Sequence, residues 1–294
     1  MTNSGRPAAP ETPPIEIAAA PGCRLAEGVL WHPGERRLYW IDIAPGRLFR
    51  FDPIQSTTES FVVGSAIGGF TFQRQGGLLL FLAHGRVAFW RDGQATIVDE
   101  LAGEGGGRFN DAIADPEGRV FCGTFFEDGS RRGNLYRLDP DGKVTRVLDG
   151  LACTNGMGFS PDLERFYHTD SGERTIYAFR YDRATGRIYD RKALVTIPPP
   201  AVPDGLTVDA DGYVWSALWG GSAIVRYDPE GHPVRTIPLP IPRITSLSFG
   251  GNDFSELYIS SAQSDSPAPR EGAIFHLRLD HGGRAEFYSF LHVR

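Results

Sequence analysis

Four polar side chains interrupt apolar stretches of the chain at matching positions. Each lies five residues before a turn that starts at residue 32, 115, 160 or 209, and the four are Glu27, Asn110, Asn155 and Asp204. If the fold brings two carboxylates and two amides together, their repulsion and desolvation cost roughly several kcal/mol unless a counter-charge is present. A hard divalent cation supplies that charge, and oxygen ligands favour Ca²⁺, Mg²⁺ or Mn²⁺ while tolerating Zn²⁺ or Fe²⁺. The pattern therefore predicts a metal site.

Taken one at a time, these residues have a simpler interpretation. Asn-Gly and Asp-Gly pairs, as at Asn155 and Asp204, usually form turns, and a single glutamate near a strand is usually solvated. Turn chemistry does not explain why all four share one position relative to the next turn, so the metal site is the preferred hypothesis.

A repeat along the chain predicts the elements that position these side chains. A Gly- or Asp-containing turn followed by an alternating apolar strand starts at residues 32, 74, 115, 160, 209 and 250, which gives spacings of 42, 41, 45, 49 and 41 residues. A second alternating strand follows most copies, usually closed by Asp-Pro. This period is typical of four-stranded blades in a radial array. We expect an all-β fold, a six-bladed β-propeller over residues 15–294, rather than a two-sheet sandwich.

Composition excludes several classes of partner. The 30 Lys and Arg against 36 Asp and Glu give a net charge of −6, which argues against nucleic-acid or polybasic membrane binding. The longest apolar run, residues 78–83, is too short to span a bilayer. Residues 1–14 have no apolar core of a signal peptide and are expected to form a disordered tail, and the three cysteines form no CxxC pair. A cytoplasmic location is therefore predicted.

Several motifs together resemble the SMP-30/gluconolactonase/regucalcin family. They are Glu-Gly-x-x-Trp at 27–31, Arg-Phe-Asn-Asp at 108–111, Thr-Asn-Gly at 154–156, Pro-Asp-Gly at 203–205, and the segments 216–221 and 249–251. The resemblance covers residues 15–294, with the motifs in the right order. It implies a six-bladed propeller with one divalent metal ion on its axis and hydrolysis of aldonolactones.

The resemblance also implies roles for individual residues. Glu27, Asn155 and Asp204 match the metal ligands, and Asp204 also matches the general base. Arg108 and Asn110 match the residues that hold sugar hydroxyls, and either Glu127 or Asp128 is a candidate for a further acidic sugar contact. Ca²⁺ is the preferred ion, with Zn²⁺, Mn²⁺, Mg²⁺ and Fe²⁺ as alternatives. Ala26 and Val29 stand where the family usually has Gly and Pro, which leaves the shape of the first loop open.

The predicted function is therefore metal-dependent hydrolysis of a small-molecule sugar lactone by a carboxylic-ester hydrolase, working as a monomer or weak homo-oligomer. The cation would act as a Lewis acid, and either Asp204 or a water acidified by the ion could begin the attack. The alternatives are a non-catalytic, calcium-binding regulatory propeller and a hydrolase of another ester. Arg108 and Asn110 favour the enzyme, since an ion buffer needs no sugar clamp. Residue types alone do not rank the possible lactones.

Overall fold

Each repeat folds as one four-stranded antiparallel sheet, a blade, in the computed structural model, which describes residues 13–101 and 103–292. The predicted tail, residues 1–14, lies outside the described residues except for 13 and 14. The described residues form strands and connections only, and no helix among them is long and apolar enough to cross a membrane.

The strands are grouped by blade as follows. Blades 1 and 2 contain β2 (Ala26–His32), β3 (Arg37–Asp42), β4 (Arg47–Asp52), β5 (Thr57–Val62), β6 (Ile67–Phe72), β7 (Leu78–Leu82), β8 (Arg86–Arg91) and β9 (Gln94–Glu100). Blades 3 and 4 contain β10 (Arg108–Ala114), β11 (Val120–Phe125), β12 (Gly133–Leu138), β13 (Val144–Leu151), β14 (Thr154–Phe159), β15 (Arg165–Asp170), β16 (Thr175–Asp182) and β17 (Arg187–Thr196). Blades 5 and 6 contain β18 (Val202–Val208), β19 (Val214–Trp219), β20 (Ala223–Tyr227), β21 (Pro233–Pro238), β22 (Ile244–Gly250), β23 (Glu256–Ser261), β24 (Ile274–Arg278) and the N-terminal strand β1 (Glu16–Ala19).

The first strands of the six blades surround a central channel. The strands β2, β6, β10, β14, β18 and β22 contact one another in sequence, and β22 contacts β2 to close the ring. Most residues of these strands are buried, including all of β6 and β14, whereas an outer strand such as β5 is mostly exposed. All six repeat turns lie between the first and second strands of their blades. The predicted six-bladed propeller is confirmed, and the sandwich alternative is wrong.

The sixth blade combines the first and the last strands of the described chain. β1 pairs antiparallel with β24, with Glu16 opposite His276 and Ile17 opposite Phe275. β1 thus forms the outer strand of a blade whose other three strands come from residues 244–278. The ring is therefore closed by hydrogen bonds within one sheet.

Residues 279–292, called the C-terminal segment below, cross the channel at the end where the first strands finish. Ala210 of blade 5 donates to Gly282 O at 3.0 Å, and Phe290 donates its N–H to Gly118 O of blade 3 at 2.8 Å. Glu286 of this segment lines a cavity on the axis together with first-strand residues of all six blades. The segment therefore covers one end of the channel, and the other end, where the first strands begin, is called the site end below.

Candidate active site

The four polar residues singled out above lie at the site end of the channel. Glu27, Asn110, Asn155 and Asp204 are the second or third residues of the first strands of blades 1, 3, 4 and 5. They are between 5% and 8% exposed. The shared spacing to the following turn therefore corresponds to one level of the propeller.

The local backbone at this level is irregular in every blade. Each first strand shifts its register against the second strand near its start, for example between Thr154 and Met157 and between Pro203 and Leu206. A bulge of this kind bends the strand and re-aims the side chain at the extra residue. Asn155 and Asp204 both lie at such a shift, within a strand and not in the hairpin turns that their Asn-Gly and Asp-Gly pairs allow.

Two glycines next to these residues permit the first strands to pack closely. A Cβ on Gly156 would lie 2.1 Å from the backbone nitrogen of Leu206, and a Cβ on Gly205 would lie 2.7 Å from Cα of Ser246. Any larger residue would push neighbouring blades apart. Gly156 and Gly205, which follow Asn155 and Asp204, therefore allow a narrow channel.

Burial and neighbouring charges strongly perturb the carboxyl groups of Glu27 and Asp204. Burial, followed by the neighbouring carboxylates of Asp204 and Asp111, raises the pKa of Glu27 well above its usual range. Burial and Asp111 likewise raise the pKa of Asp204, and the positive charge of Arg108 offsets this only in part. Two carboxylates in one buried field lack the counter-charge that their ionised forms require.

The residues present fit a hard cation. Oδ1 of Asp204 is buried and has no hydrogen-bond partner among the described residues. Carboxylate and amide oxygens are the ligands that Ca²⁺ and Mg²⁺ prefer. In the described part of the chain, three or more His, Cys, Asp or Glu side chains do not cluster as a metal site. The expected set of Glu27, Asn155 and Asp204 has only two such side chains, with an amide as the third.

Arg108 lies beside this set and is held from several sides. Its Nε donates to Oε1 of Glu127 at 2.7 Å, and its Nη1 donates to the carbonyl of Phe109 at 3.0 Å and to Oδ1 of Asn110. The guanidinium carbon lies 5.3 Å from the ring centre of Phe125. These contacts fix a planar donor group of the type that pairs with two oxygens at once.

Asn110 and the two acidic candidates have distinct surroundings. Nδ2 of Asn110 donates to Thr154 O at 2.6 Å, while its Oδ1 accepts from Arg108, so this amide braces the guanidinium. Glu127, 67% exposed, contacts Arg108 at the channel mouth. The carboxylate of Asp128 instead accepts from the N–H of Ser130 at 2.9 Å in an exposed turn. The structure thus brings Glu127, and not Asp128, to the site.

Burial keeps the side chains of His168 and Cys153 uncharged. His168 is fully buried, and burial lowers its pKa to about 3, which keeps the ring neutral. Cys153 lies in the site wall, where burial and the carboxylate of Asp204 raise the pKa of its thiol to about 12. It remains a protonated thiol, which is not the nucleophilic form.

Sequence reasoning missed a pair of buried aspartates that fix the site backbone. Asp42 accepts from the N–H groups of Arg24 and Leu25, at 3.2 and 2.9 Å, just before Glu27. Asp170 accepts from Ala152 and Cys153, both at 3.0 Å, just before Asn155. Each aspartate follows its polar residue by 15 positions (42 − 27 and 170 − 155). That repeated spacing is a sequence signal that could have found them.

Asp111 and Glu286 were also missed. Burial and the charge of Glu286 raise the pKa of Asp111 to about 7, and burial raises the pKa of Glu286 to about 7. Both line the axial cavity between the site end and the C-terminal segment. The channel therefore carries more acidic groups than the two predicted.

Comparisons with known proteins agree with this architecture. The family model described as SMP-30/Gluconolactonase/LRE-like region matches residues 25–263. A pentonolactonase of Haloferax volcanii, XacC, is 45% identical over 282 residues, covering 91% of this chain and 95% of that protein. Regucalcin of Bos taurus is 31% identical over 279 residues, covering 90% of this chain and 93% of that protein. The solved structure of a luciferin-regenerating enzyme has a TM-score of 0.88 at 27% identity, covering 95% of this chain and all of that one.

These matches confirm the resemblance found from the motifs. The family model spans most of the chain, and both relatives cover at least 90% of it at 30% identity or more. The chain belongs to the SMP-30/gluconolactonase/LRE-like family.

Proposed function

We propose that this protein hydrolyses a sugar lactone to its aldonic acid, with one divalent cation held by Glu27, Asn155 and Asp204. The observation that carries the proposal is the buried carboxylate of Asp204, whose Oδ1 has no partner among the described residues although a second carboxylate, Glu27, shares its field. A cation at this level satisfies the unpaired oxygen and balances the charge. Lactone hydrolysis is also the activity stated in the name of the pentonolactonase relative.

Each group has a task in such a reaction. A bound divalent cation supplies Lewis acidity that stabilises negative charge on the lactone carbonyl oxygen when water adds. Asp204 accepts the proton of the attacking water, since a carboxylate has a second oxygen available for it. Nη2 of Arg108, without a hydrogen-bond partner among the described residues, donates to a substrate oxygen.

Two features support a polyhydroxylated substrate. Arg108 and Glu127 place a donor group and an acceptor group side by side at the channel mouth, and a sugar hydroxyl can use both at once. Most of the Glu127 side chain is exposed, so it can reach a ligand without breaking a buried contact. Because the 45% identical relative is named a pentonolactonase, five-carbon aldonolactones are the first substrates to test.

A second candidate is calcium binding without turnover. It is favoured by the solved structure of a regucalcin from Agrobacterium tumefaciens that is described as a calcium-binding protein, and bovine regucalcin is 31% identical to this chain. The braced guanidinium of Arg108 argues for the enzyme, because a site that only holds an ion gains nothing from a donor fork beside it.

The test uses chelator-treated protein and a panel of five- and six-membered aldonolactones. We expect no hydrolysis without metal and recovery when Ca²⁺, Mn²⁺, Mg²⁺, Zn²⁺ or Fe²⁺ is added back, with Asp204→Asn inactive under every ion. Asp211→Asn is the matched control, since this aspartate is also in blade 5 but its side chain is 61% exposed. Tight calcium binding with no turnover of any lactone would support the second candidate instead.

A further inference from the structure

Ser171 directly follows β15 and touches two residues of the site level. Its Oγ lies 3.0 Å from Nδ2 of Asn155 and 2.6 Å from the carbonyl oxygen of Pro203, the residue before Asp204. The side chain is buried, with the residue 9% exposed. One hydroxyl therefore links the amide of blade 4 to the backbone of blade 5.

The direction of these two hydrogen bonds is fixed by chemistry. The carbonyl of Pro203 can only accept, so the single hydroxyl proton of Ser171 goes to it. The oxygen of Ser171 then has only lone pairs left for Asn155, so the facing atom of the amide must be the NH₂ nitrogen. This places Oδ1 of Asn155 on the opposite side of the amide, where it accepts no hydrogen bond from the described residues.

A second contact favours the same orientation. Sγ of Cys153 lies 4.0 Å from Nδ2 of Asn155 and is a weak acceptor for its other proton. The backbone before Asn155 is held by Asp170, which accepts from the N–H groups of Ala152 and Cys153. With the backbone held in place, rotation about the Cβ–Cγ bond of Asn155 is the motion that exchanges its amide oxygen and nitrogen.

We propose that Ser171 is a positioning residue that holds the amide oxygen of Asn155 toward the bound cation. This inference rests on the proposed metal site. An amide rotated by half a turn would present an NH₂ group, which has no lone pair to offer a cation. Ser171 prevents this rotation because the flipped amide would set Oδ1 against a hydroxyl oxygen whose proton is already committed.

The test measures metal affinity by calorimetry on chelator-treated protein, with Ca²⁺ and Mn²⁺ as the probes. Ser171→Ala is expected to weaken binding by about 10- to 100-fold, the usual effect of losing a partner that orients a metal ligand. Ser171→Thr, which keeps the hydroxyl, is expected to restore affinity. Ser261→Ala is the matched control, because Ser261 is also buried near the end of a second strand and donates to a carbonyl, that of Ala273, at 2.8 Å.

Repeating the Ser171→Ala substitution in the Asn155→Asp variant separates the loss of amide orientation from a general disturbance of the site. In Asn155→Asp the two carboxylate oxygens are equivalent, so no orientation has to be chosen. There, Ser171→Ala is expected to leave affinity unchanged or improve it, because the serine oxygen would face a negatively charged acceptor.

The outcomes are distinguishable. If the wild-type protein binds neither ion, the proposed metal site fails, and the inference about Ser171 fails with it. If the wild-type protein binds but Ser171→Ala binds equally well, or if the loss is the same in the Asn155→Asp background, the positioning role alone is overturned. Denaturant unfolding of each variant shows whether a loss of affinity comes from a loss of fold.

Discussion

Replacing Asp204 by asparagine should make the metal-free protein more stable while abolishing its response to metal. In the metal-free state the Asp204 carboxylate is 5% exposed, has an unpaired Oδ1, and shares a buried field with Glu27. Asparagine has nearly the same shape, removes the charge, and brings an NH₂ group that can donate to Glu27.

The expected size of the effect follows from these contacts. A buried polar atom without a partner costs about 1–3 kcal/mol, and more for a charged group. We therefore expect the free energy of unfolding of metal-free Asp204→Asn to exceed that of the wild type by about 1–3 kcal/mol. Saturating metal should then reverse the order, since a ligand at about 1,000 times its Kd stabilises the wild type by about 4.1 kcal/mol.

Urea unfolding of the wild type and of Asp204→Asn, each with chelator and with excess Ca²⁺ or Mn²⁺, measures the four free energies of unfolding. Asp211→Asn is again the control, since an exposed ion pair with Arg226 contributes only about 0–1 kcal/mol. If metal-free Asp204→Asn is less stable than the wild type, the carboxylate is satisfied by contacts and not by an ion. An equal gain from metal in both proteins would place the cation elsewhere.

Other substitutions test separate parts of the site. Arg108→Lys keeps the charge but loses the donor fork and should lower kcat/KM by about 10- to 100-fold, the value of one or two charged hydrogen bonds, with metal affinity unchanged by calorimetry. Glu286 has its pKa raised from 4.5 to about 7, so the folded state binds its proton more tightly. The free energy of unfolding of the wild type should therefore fall by up to about 3 kcal/mol between about pH 5 and about pH 8. The urea midpoint of Glu286→Gln should change less with pH than that of the wild type. Asp42→Ala should lower the free energy of unfolding by about 2–4 kcal/mol because two backbone N–H groups lose their acceptor. In the same urea assay, Asp42→Asn should keep most of the wild-type free energy of unfolding.

The fold was predictable because each blade repeats the same local signals. Turn residues and alternating strands lie close together in the chain, so the six turn positions could be located by inspection and all fall between first and second strands. The level of Glu27, Asn155 and Asp204 was predictable for the same reason, since their distance to the turn is a property of one strand. Location in the cell and oligomeric state stay predictions.

The other site features depend on contacts between blades. Ser171 meets Pro203 only because blades 4 and 5 are adjacent in the ring, and residue types carry no sign of that distance. Glu286 enters the channel because the C-terminal segment crosses it, a path without any repeat signal. Glu127 accepts from Arg108 whereas Asp128 accepts from the N–H of Ser130, a difference in partners that the sequence left open.

The pairing of β1 with β24 has a consequence for biosynthesis. The sixth blade is complete only when Ile17 pairs with Phe275. This contact joins residues that are separated by nearly the whole polypeptide. Contacts that join distant parts of a chain form late, because a large loop must close first. On the ribosome, earlier blades can assemble as they emerge. The ring closes only after β24 has been made, and the C-terminal segment covers the channel later still. A stalled or shortened translation product would therefore expose open sheet edges, an aggregation hazard that the finished protein avoids.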